Sequence, residues 1–497
     1  MKPRFFIFIS LSILCLAAAG VLAFRQAQAY ERTRGVLPAG SMVAGLPAGG
    51  RTPEEAGRQA VIAYAMTPVE LRYQGSVIHI DPTQAGQTLN TAGMVEKARA
   101  ALQGDFWPGY WASLWNQPSP SVEIPLECSV DDTRLQTFLD EALSLRYGQT
   151  PTRAAPDPGG TAFQPGKPGV TLALDLASQS VTSALCAREN RVAELTSVEA
   201  PPLPPTVDAL EFSLTALVQA SGYDGLIELY YQDLRTGEVI QLALNDGKVV
   251  EPGVAFTAAS TIKIPVMISA YKQVDGELPA NLRRQMAEMI DLSDNLSTDK
   301  VMESVLDENI APVQVTQDIR ALGLQNTFLA GFFYPGAPLL DRYTTPANQR
   351  TDLSTDPDVY NQTTAGDMGV LLSNLYQCST NGSGPLVDTY GAAITQAECQ
   401  EMVDLLATNR KGVLIEVGLP EGTRMAHKYG WVTDALDGLL HTASDAAIVY
   451  TPGGDFVLTA YLYHPNQLQW EPAQNLVAYL TAAAYNYHVI SLSFVYE

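Results

Sequence analysis

The longest uninterrupted apolar pattern in the chain stands near its start. Residues 5–24 carry no charge and are mostly hydrophobic, after Lys2 and Arg4, and a run of that length is enough to cross a bilayer as a helix. Positive charge on the N-terminal side predicts that the chain beyond the run lies outside the cytoplasm. Ala27-Gln28-Ala29 then has the small-x-small form of a signal-peptidase site. The run therefore reads as a cleaved signal peptide or a retained membrane anchor, and its length favours the anchor. No second run of comparable length follows.

Further on, the pattern shortens to that of strands and amphipathic helices. Thr52 as cap, Pro53 at the first helical position and Glu55 three residues after the cap predict a helix start. Residues 69–73 (VELRY) and 77–81 (VIHID) alternate apolar and polar around Gln74-Gly75-Ser76, a hairpin pattern. Residues 122–126 begin another strand, which Pro125 assigns to an edge, and residues 131–147 and 172–186 have helical spacing. Two Pro-rich stretches, 150–169 and 200–206, cannot continue a helix or a central strand and predict a loop and an interdomain linker. The expected organisation is a signal peptide or anchor over 1–29, an α+β domain over 30–200, a linker over 201–206 and a second domain over 207–497.

Composition narrows the function classes. With 30 Lys plus Arg against 53 Asp plus Glu, the net charge is −23, and no basic run offers the stripe that a nucleic-acid partner needs. Cys128 and Cys186 fall in the first half, Cys378 and Cys399 in the second. In an exported chain they form two intradomain disulfides, or they remain four ordinary thiols. His79, His427, His441, His464 and His488 show no CxxC or HExxH spacing, so no metal site is expected.

Candidate chemistry is concentrated in the second half. Residues 227–234 and 238–244 flank Arg235-Thr236-Gly237 as a further hairpin, and residues 256–263 lead into an apolar helix over 264–271. Ser260 and Lys263 are three apart, which at a helix start puts hydroxyl and amine on one face, where a neutral Lys can take the Ser proton. A Ser in that position also has an unpaired backbone N–H to offer an oxyanion. Ser269 and Lys272 repeat the spacing, but inside the helix, where the Ser amide is already bonded. Pro265, five residues after Ser260, implies an adjusted first turn. Ser293-Asp294-Asn295 supplies a second hydroxyl and an amide. His427-Lys428-Tyr429-Gly430-Trp431 puts a cation before a glycine at a strand start, suited to a substrate carboxylate and to close backbone approach. Each triplet alone has an ordinary structural reading as a cap, a turn or a strand end; the order of the three is more specific.

That order, S-x-x-K, then S-D-N, then Lys-x-Gly, resembles the signature of class A β-lactamases and penicillin-binding proteins. The resemblance spans residues 223–497, including TTAGDMGVLLSNL (363–375) and SDAAIVYTPGGDFVLTAYLY (444–463). It implies an α/β (α+β) catalytic domain, an antiparallel sheet flanked by helices, with no cofactor, acting on a β-lactam or a peptidoglycan stem peptide. It further implies Ser260 as nucleophile, Lys263 as its base, Ser293 as proton relay, Asn295 as substrate ligand, Lys428 as carboxylate anchor beside Gly430, and the amides of Ser260 and Trp431 as oxyanion hole. Residues 35–200 resemble peptidoglycan-binding-like domains found beside vancomycin-resistance W-type proteins, through AGLPAGGRTPEEA (44–56), VELRYQGSVIHIDPTQAG (69–86) and FQPGKPGVTLALD (163–175). Cell wall and membrane are the surroundings this implies. The aromatic group Phe106, Trp107, Tyr110, Trp111 and Trp115 reads either as a core anchor or as a sugar-stacking surface.

Two departures shape the expected reaction. Tyr429 replaces the small hydroxyl residue of the third motif, and no Glu occurs between Asn309 and Glu398, where class A enzymes carry the Glu that activates the deacylating water. The candidate loop, 328–362, offers only Asp341, Asp352, Asp356 and Asp358 as substitutes. Acylation is thus better supported than turnover, and the second reading is a non-catalytic cell-wall binding protein.

Overall fold

The computed structural model describes residues 3–409, 411–434, 436–490 and 494. It comprises two units, residues 1–152 with 168–201, and residues 153–167 with 202–497. In the first, the apolar run lies within one helix, Pro3–Thr33, whose window Leu11–Thr33 is unburied and long and apolar enough to cross a membrane. Thr52 caps the helix Pro53–Tyr64: its hydroxyl accepts from Glu55 N (3.2 Å) while the Glu55 carboxylate accepts from Thr52 N (3.0 Å), satisfying two otherwise unpaired donors at once. Strands Val69–Tyr73 and Ser76–Ile80 pair with Tyr73 opposite Ser76. The two turn residues, Gln74 and Gly75, have φ of 48° and 78°, the mirror-image turn whose twist matches that of the strands. Val192–Glu194 joins this hairpin in parallel, and Val69, Leu71 and Tyr73 pack with Leu135, Leu139, Val181 and Leu185. The strand expected over 122–126 is only Glu123–Ile124, which ends at Pro125 and pairs with Met42–Val43.

The second unit is built on a six-stranded antiparallel sheet, in the order Lys248–Val250, Val239–Asn245, Leu226–Asp233, Phe456–Tyr463, Leu440–Val449, Met425–Thr433. Both faces are covered. Leu226 and Tyr230 enter one core with the helices Lys263–Gln273 and Ala365–Asn381, while Ile227, Leu229 and Tyr231 enter the other with Val207–Ser221 and Trp470–His488. A strand buried on both faces is mostly apolar, which is why 226–231 hardly alternates; the exception, buried Glu228, accepts from Val254 N at 2.7 Å. Asp233 closes the following turn by accepting from Arg235 N (2.8 Å) and Thr236 N (3.0 Å).

One stretch departs from the division expected at residue 200. Residues 153–167, within the Pro-rich loop, pack with the second unit. Phe163 is buried there against Tyr487 (5.9 Å between ring centroids), and Thr161 O accepts from Asn486 Nδ2 at 3.0 Å. One buried ring decides the affiliation of the segment, and its composition gives no sign of it.

Cys128 bonds Cys186 and Cys378 bonds Cys399, one disulfide in each unit. The second joins the helices Ala365–Asn381 and Gln396–Thr408, 21 residues apart in sequence. Closing a loop of that size restricts the unfolded chain, so replacing Cys378 and Cys399 together by Ala is expected to cost about 2–4 kcal/mol. Urea denaturation without reductant measures it; an unchanged midpoint would show that the bridge adds nothing.

Candidate active site

Ser260 sits in the 3-10 turn Ala259–Ile262, which feeds directly into the helix Lys263–Gln273. Pro265 is the third residue of that helix, where an N–H has no intrahelical partner, so its ring costs no hydrogen bond. The adjustment it requires is the tight turn before it. Buried Thr261 fixes that turn, donating to Ala258 O (2.6 Å) and sharing a hydrogen bond with Tyr461 OH (2.8 Å). Ala259, just before Ser260, has φ of 50°, a left-handed conformation that costs a residue with a Cβ roughly 1–2 kcal/mol.

The edge strand Met425–Thr433 passes alongside. A Cβ on Gly430 would stand 2.7 Å from Ser260 N and 3.0 Å from Ala259 Cβ, so only glycine allows this approach. Lys428, two residues earlier, is fully buried and donates to Ser293 Oγ (3.0 Å) and Tyr429 O (3.1 Å). Lys263 is equally buried. Its amine lies 3.2 Å from Ser260 Oγ, 3.2 Å from Ser293 Oγ, 2.6 Å from Ser293 O and 2.9 Å from Asn295 Oδ1.

The Ser293 hydroxyl thus stands between two amines deprived of water. Burial pulls Lys263 down to about 8, against the opposing pull of Asp294 and Asp299. Burial, and then repulsion from Lys263, brings Lys428 down to about 7. Removing either proton relieves the repulsion, so one amine is readily available as a base near neutral pH. Ser293 itself has φ of 56° and precedes the helix Asn295–Val305, capped by Asp294, whose Oδ2 accepts from Ser297 N at 2.6 Å.

The structure therefore brings Ser260, Lys263, Ser293, Asn295, Lys428 and Gly430 to one place. Trp431 follows Gly430 on the edge strand, its ring stacked on Tyr429 (5.1 Å) and edge-on to Trp470 (5.2 Å). Tyr429 supplies a face where the family motif has a small hydroxyl: Lys428 Nζ lies 4.3 Å from its ring centroid, a cation–π contact that supports the ammonium form.

The loop carboxylates are engaged elsewhere. Asp352 pairs with Arg350 through both oxygens (3.0 and 2.6 Å), and the guanidinium holds it down to about 2. Asp341 accepts from Arg342 N, and Asp358 from Tyr360 N and Asn361 Nδ2. Asp356 has a left-handed backbone, with φ of 47°. Among the described residues none of the four exchanges a hydrogen bond with Ser260, Lys263 or Ser293. The loop side chain that faces Lys263 is Phe333, with its ring centroid 5.5 Å from Nζ. It is held there by Asp299, whose Oδ1 accepts from Phe333 N at 2.9 Å. Asp299 is buried, its Oδ2 has no hydrogen-bond partner, and burial raises its pKa.

A second group that sequence reasoning missed lies behind Lys428. His427 is buried with Nδ1 at 2.9 and 3.2 Å from the two Asp445 oxygens and Nε2 at 2.8 Å from Asn409 O. Both nitrogens face acceptors, so the ring carries both protons. Burial opposes that charge, but Asp445 and the Asn409 carbonyl outweigh it and the pKa is raised. The spacing of His427 to Asp445 is set by strand pairing, which no local motif reveals.

The sequence model of the β-lactamase enzyme family matches residues 209–285 and 280–488, more than half of the chain, and the chain belongs to that family. Solved structures similar to it include a β-lactamase from Sphaerobacter thermophilus (20% identity, covering 55% of this chain and 94% of that one, TM-score 0.38). Others are a β-lactamase from Xanthomonas campestris (17%, 55% and 98%, TM-score 0.40) and a mutant of PBP-A in an acyl-enzyme complex with penicillin G (17%, 56% and 96%, TM-score 0.39). No curated protein matches.

The charged His427–Asp445 pair has a measurable pH signature. Because the folded pKa of His427 lies above its ordinary 6.5, the stability it contributes is complete below that value and is lost as pH rises through the raised one. Asp445→Asn is expected to cost about 3–5 kcal/mol at pH 6, with a smaller gap to wild type at pH 9. Urea denaturation at both values checks this; a gap independent of pH would mean that the imidazole is neutral.

Proposed function

We propose that this chain is an exported serine hydrolase, held at the membrane by the helix Pro3–Thr33 and acylated at Ser260 by β-lactams or D-alanyl cell-wall peptides. The observation that carries the reading is the buried Lys263 amine, 3.2 Å from Ser260 Oγ and brought down to about 8. Neutral Lys263 takes the hydroxyl proton as Oγ attacks the carbonyl carbon. The amides of Ser260 and Trp431 receive the developing oxyanion. Ser293 passes a proton to the departing nitrogen, and with two amines beside it that proton is replaced at once. Asn295 binds the substrate amide, and Lys428 holds its carboxylate, an anion that returns charge to this lysine. Peptidoglycan contact by residues 30–200 belongs to the same proposal; its support is their Gly/Pro pattern.

Deacylation is slow in this reading. Hydrolysis of the acyl-enzyme needs a base beside the approaching water; what supports slow deacylation is the Phe333 ring beside Lys263 and the engagement of Asp341, Asp352 and Asp358 elsewhere. The site is therefore suited to capture rather than to rapid turnover.

Intact-mass analysis after incubation with benzylpenicillin tests the first step. Wild type is expected to gain the mass of the intact drug and Ser260→Ala to gain nothing. The absence of an adduct with several β-lactams and an activated ester would overturn the enzyme reading in favour of a binding protein. The second step is tested by Phe333→Glu, which is expected to speed adduct decay by about a hundredfold with little change in its formation. Rapid decay in the wild type would show that another group already activates water.

A further inference from the structure

The aromatic group on the helix Phe106–Leu114 divides between two sides, with Tyr110 buried and the tryptophans exposed. Trp107, Trp111 and Trp115 are four apart, so they share one side of the helix and its C-cap, and they are 64%, 56% and 78% exposed. The other side packs on the end of the long N-terminal helix. Phe106 and Tyr110 lie 5.5 and 5.9 Å from the Tyr30 ring, and Tyr110 OH donates to Ala23 O at 3.2 Å. Gly109 makes room for this: a Cβ there would overlap Tyr30 OH. Residues 106–122 carry no charge.

The position of that contact indicates what covers the tryptophans. Ala23 is one residue before the apolar run ends at Phe24, and Arg25 comes next, so Ala23 marks the border of the hydrocarbon. Tyr30 is seven residues further, about 10 Å along the helix axis, so the contact from Ala23 to Tyr30 spans the headgroup layer, about 5–7 Å thick on each side of a bilayer, and reaches its outer edge. The helix Phe106–Leu114 is therefore fastened to the anchor at headgroup depth, where Trp is most at home because its ring is apolar and its N–H needs a polar partner.

We propose that the helix Phe106–Leu114, with Trp115, is an interfacial membrane helix, and that Trp107, Trp111 and Trp115 insert into the extracytoplasmic headgroup region beside the anchor. The inference rests on reading Pro3–Thr33 as a retained span. It assigns these residues to lipid and not to a glycan.

The five tryptophans of the chain make the test direct. With Trp431→Phe and Trp470→Phe in the full chain, the remaining fluorescence comes from this helix alone. The chain is reconstituted into phosphatidylcholine and phosphatidylglycerol vesicles, with or without bromine at a shallow or a deep acyl position. The expected result is a large loss of fluorescence, greater with shallow than with deep bromine, and absent in a parallel chain carrying Trp107→Phe, Trp111→Phe and Trp115→Phe. Equal fluorescence in brominated and plain vesicles would overturn the inference, as would protection from acrylamide by soluble glycan fragments instead of lipid. Alkaline carbonate extraction reads the anchor separately: a chain that resists extraction but is unquenched keeps its span and loses this assignment. Quenching supports the interfacial helix whether or not the chain is extracted.

Discussion

Two amines converge on one hydroxyl with no bulk water to keep both charged. Lys263 and Lys428 are each fully buried, and each donates to Ser293 Oγ. Desolvation makes the second positive charge expensive, and their mutual repulsion adds to the cost. The rest of the second unit holds this arrangement in place. The 3-10 turn fixes Lys263 relative to Ser260, the helix starting at Asn295 holds Ser293, and the sheet edge carries Lys428. A site of this kind keeps one of its amines readily deprotonated near neutral pH.

The sheet supports that edge from behind. The strand Leu226–Asp233 is buried on both faces and sets the two cores, while Met425–Thr433 pairs only on one side and leaves its other side to the turn that carries Ser260. His427 fills the space behind the lysine, with both ring nitrogens hydrogen-bonded, to Asp445 and to the Asn409 carbonyl. Such a group adds little net stability compared with hydrophobic packing, but losing one partner is costly, so the register of the edge strand against its neighbour is strictly enforced.

What was legible in the sequence follows the range of the interactions. Ser260 with Lys263, the Thr52–Glu55 cap and the Gln74-Gly75 turn are set by neighbours within four residues, and each was visible as spacing. The arrival of Lys428 at Ser293 is long-range and was legible only through the family motif. Phe333, Asp299 and Asp445 had no such marker. The loop aspartates stand out by their charge, whereas the side chain facing Lys263 is the Phe333 ring, held through a backbone amide that any residue possesses. The tryptophans of the helix Phe106–Leu114 were ambiguous for another reason: composition fixes their hydrophobicity, but only the packing of Phe106 and Tyr110 on Tyr30 decides which side of the helix remains outside.

Ala259 and Ser293 both hold left-handed backbone conformations without being glycine, one next to Ser260 and one at the shared hydroxyl. Their strain is sustained by the fold around them. Glycine at either position would relax the backbone and raise stability, but would also free the turn to wander from its partner groups. Selection for thermal robustness alone would thus reach these two positions early, exchanging positional precision for a better-rested chain. In this molecule the least comfortable residues mark where the stability of the fold has been put to use.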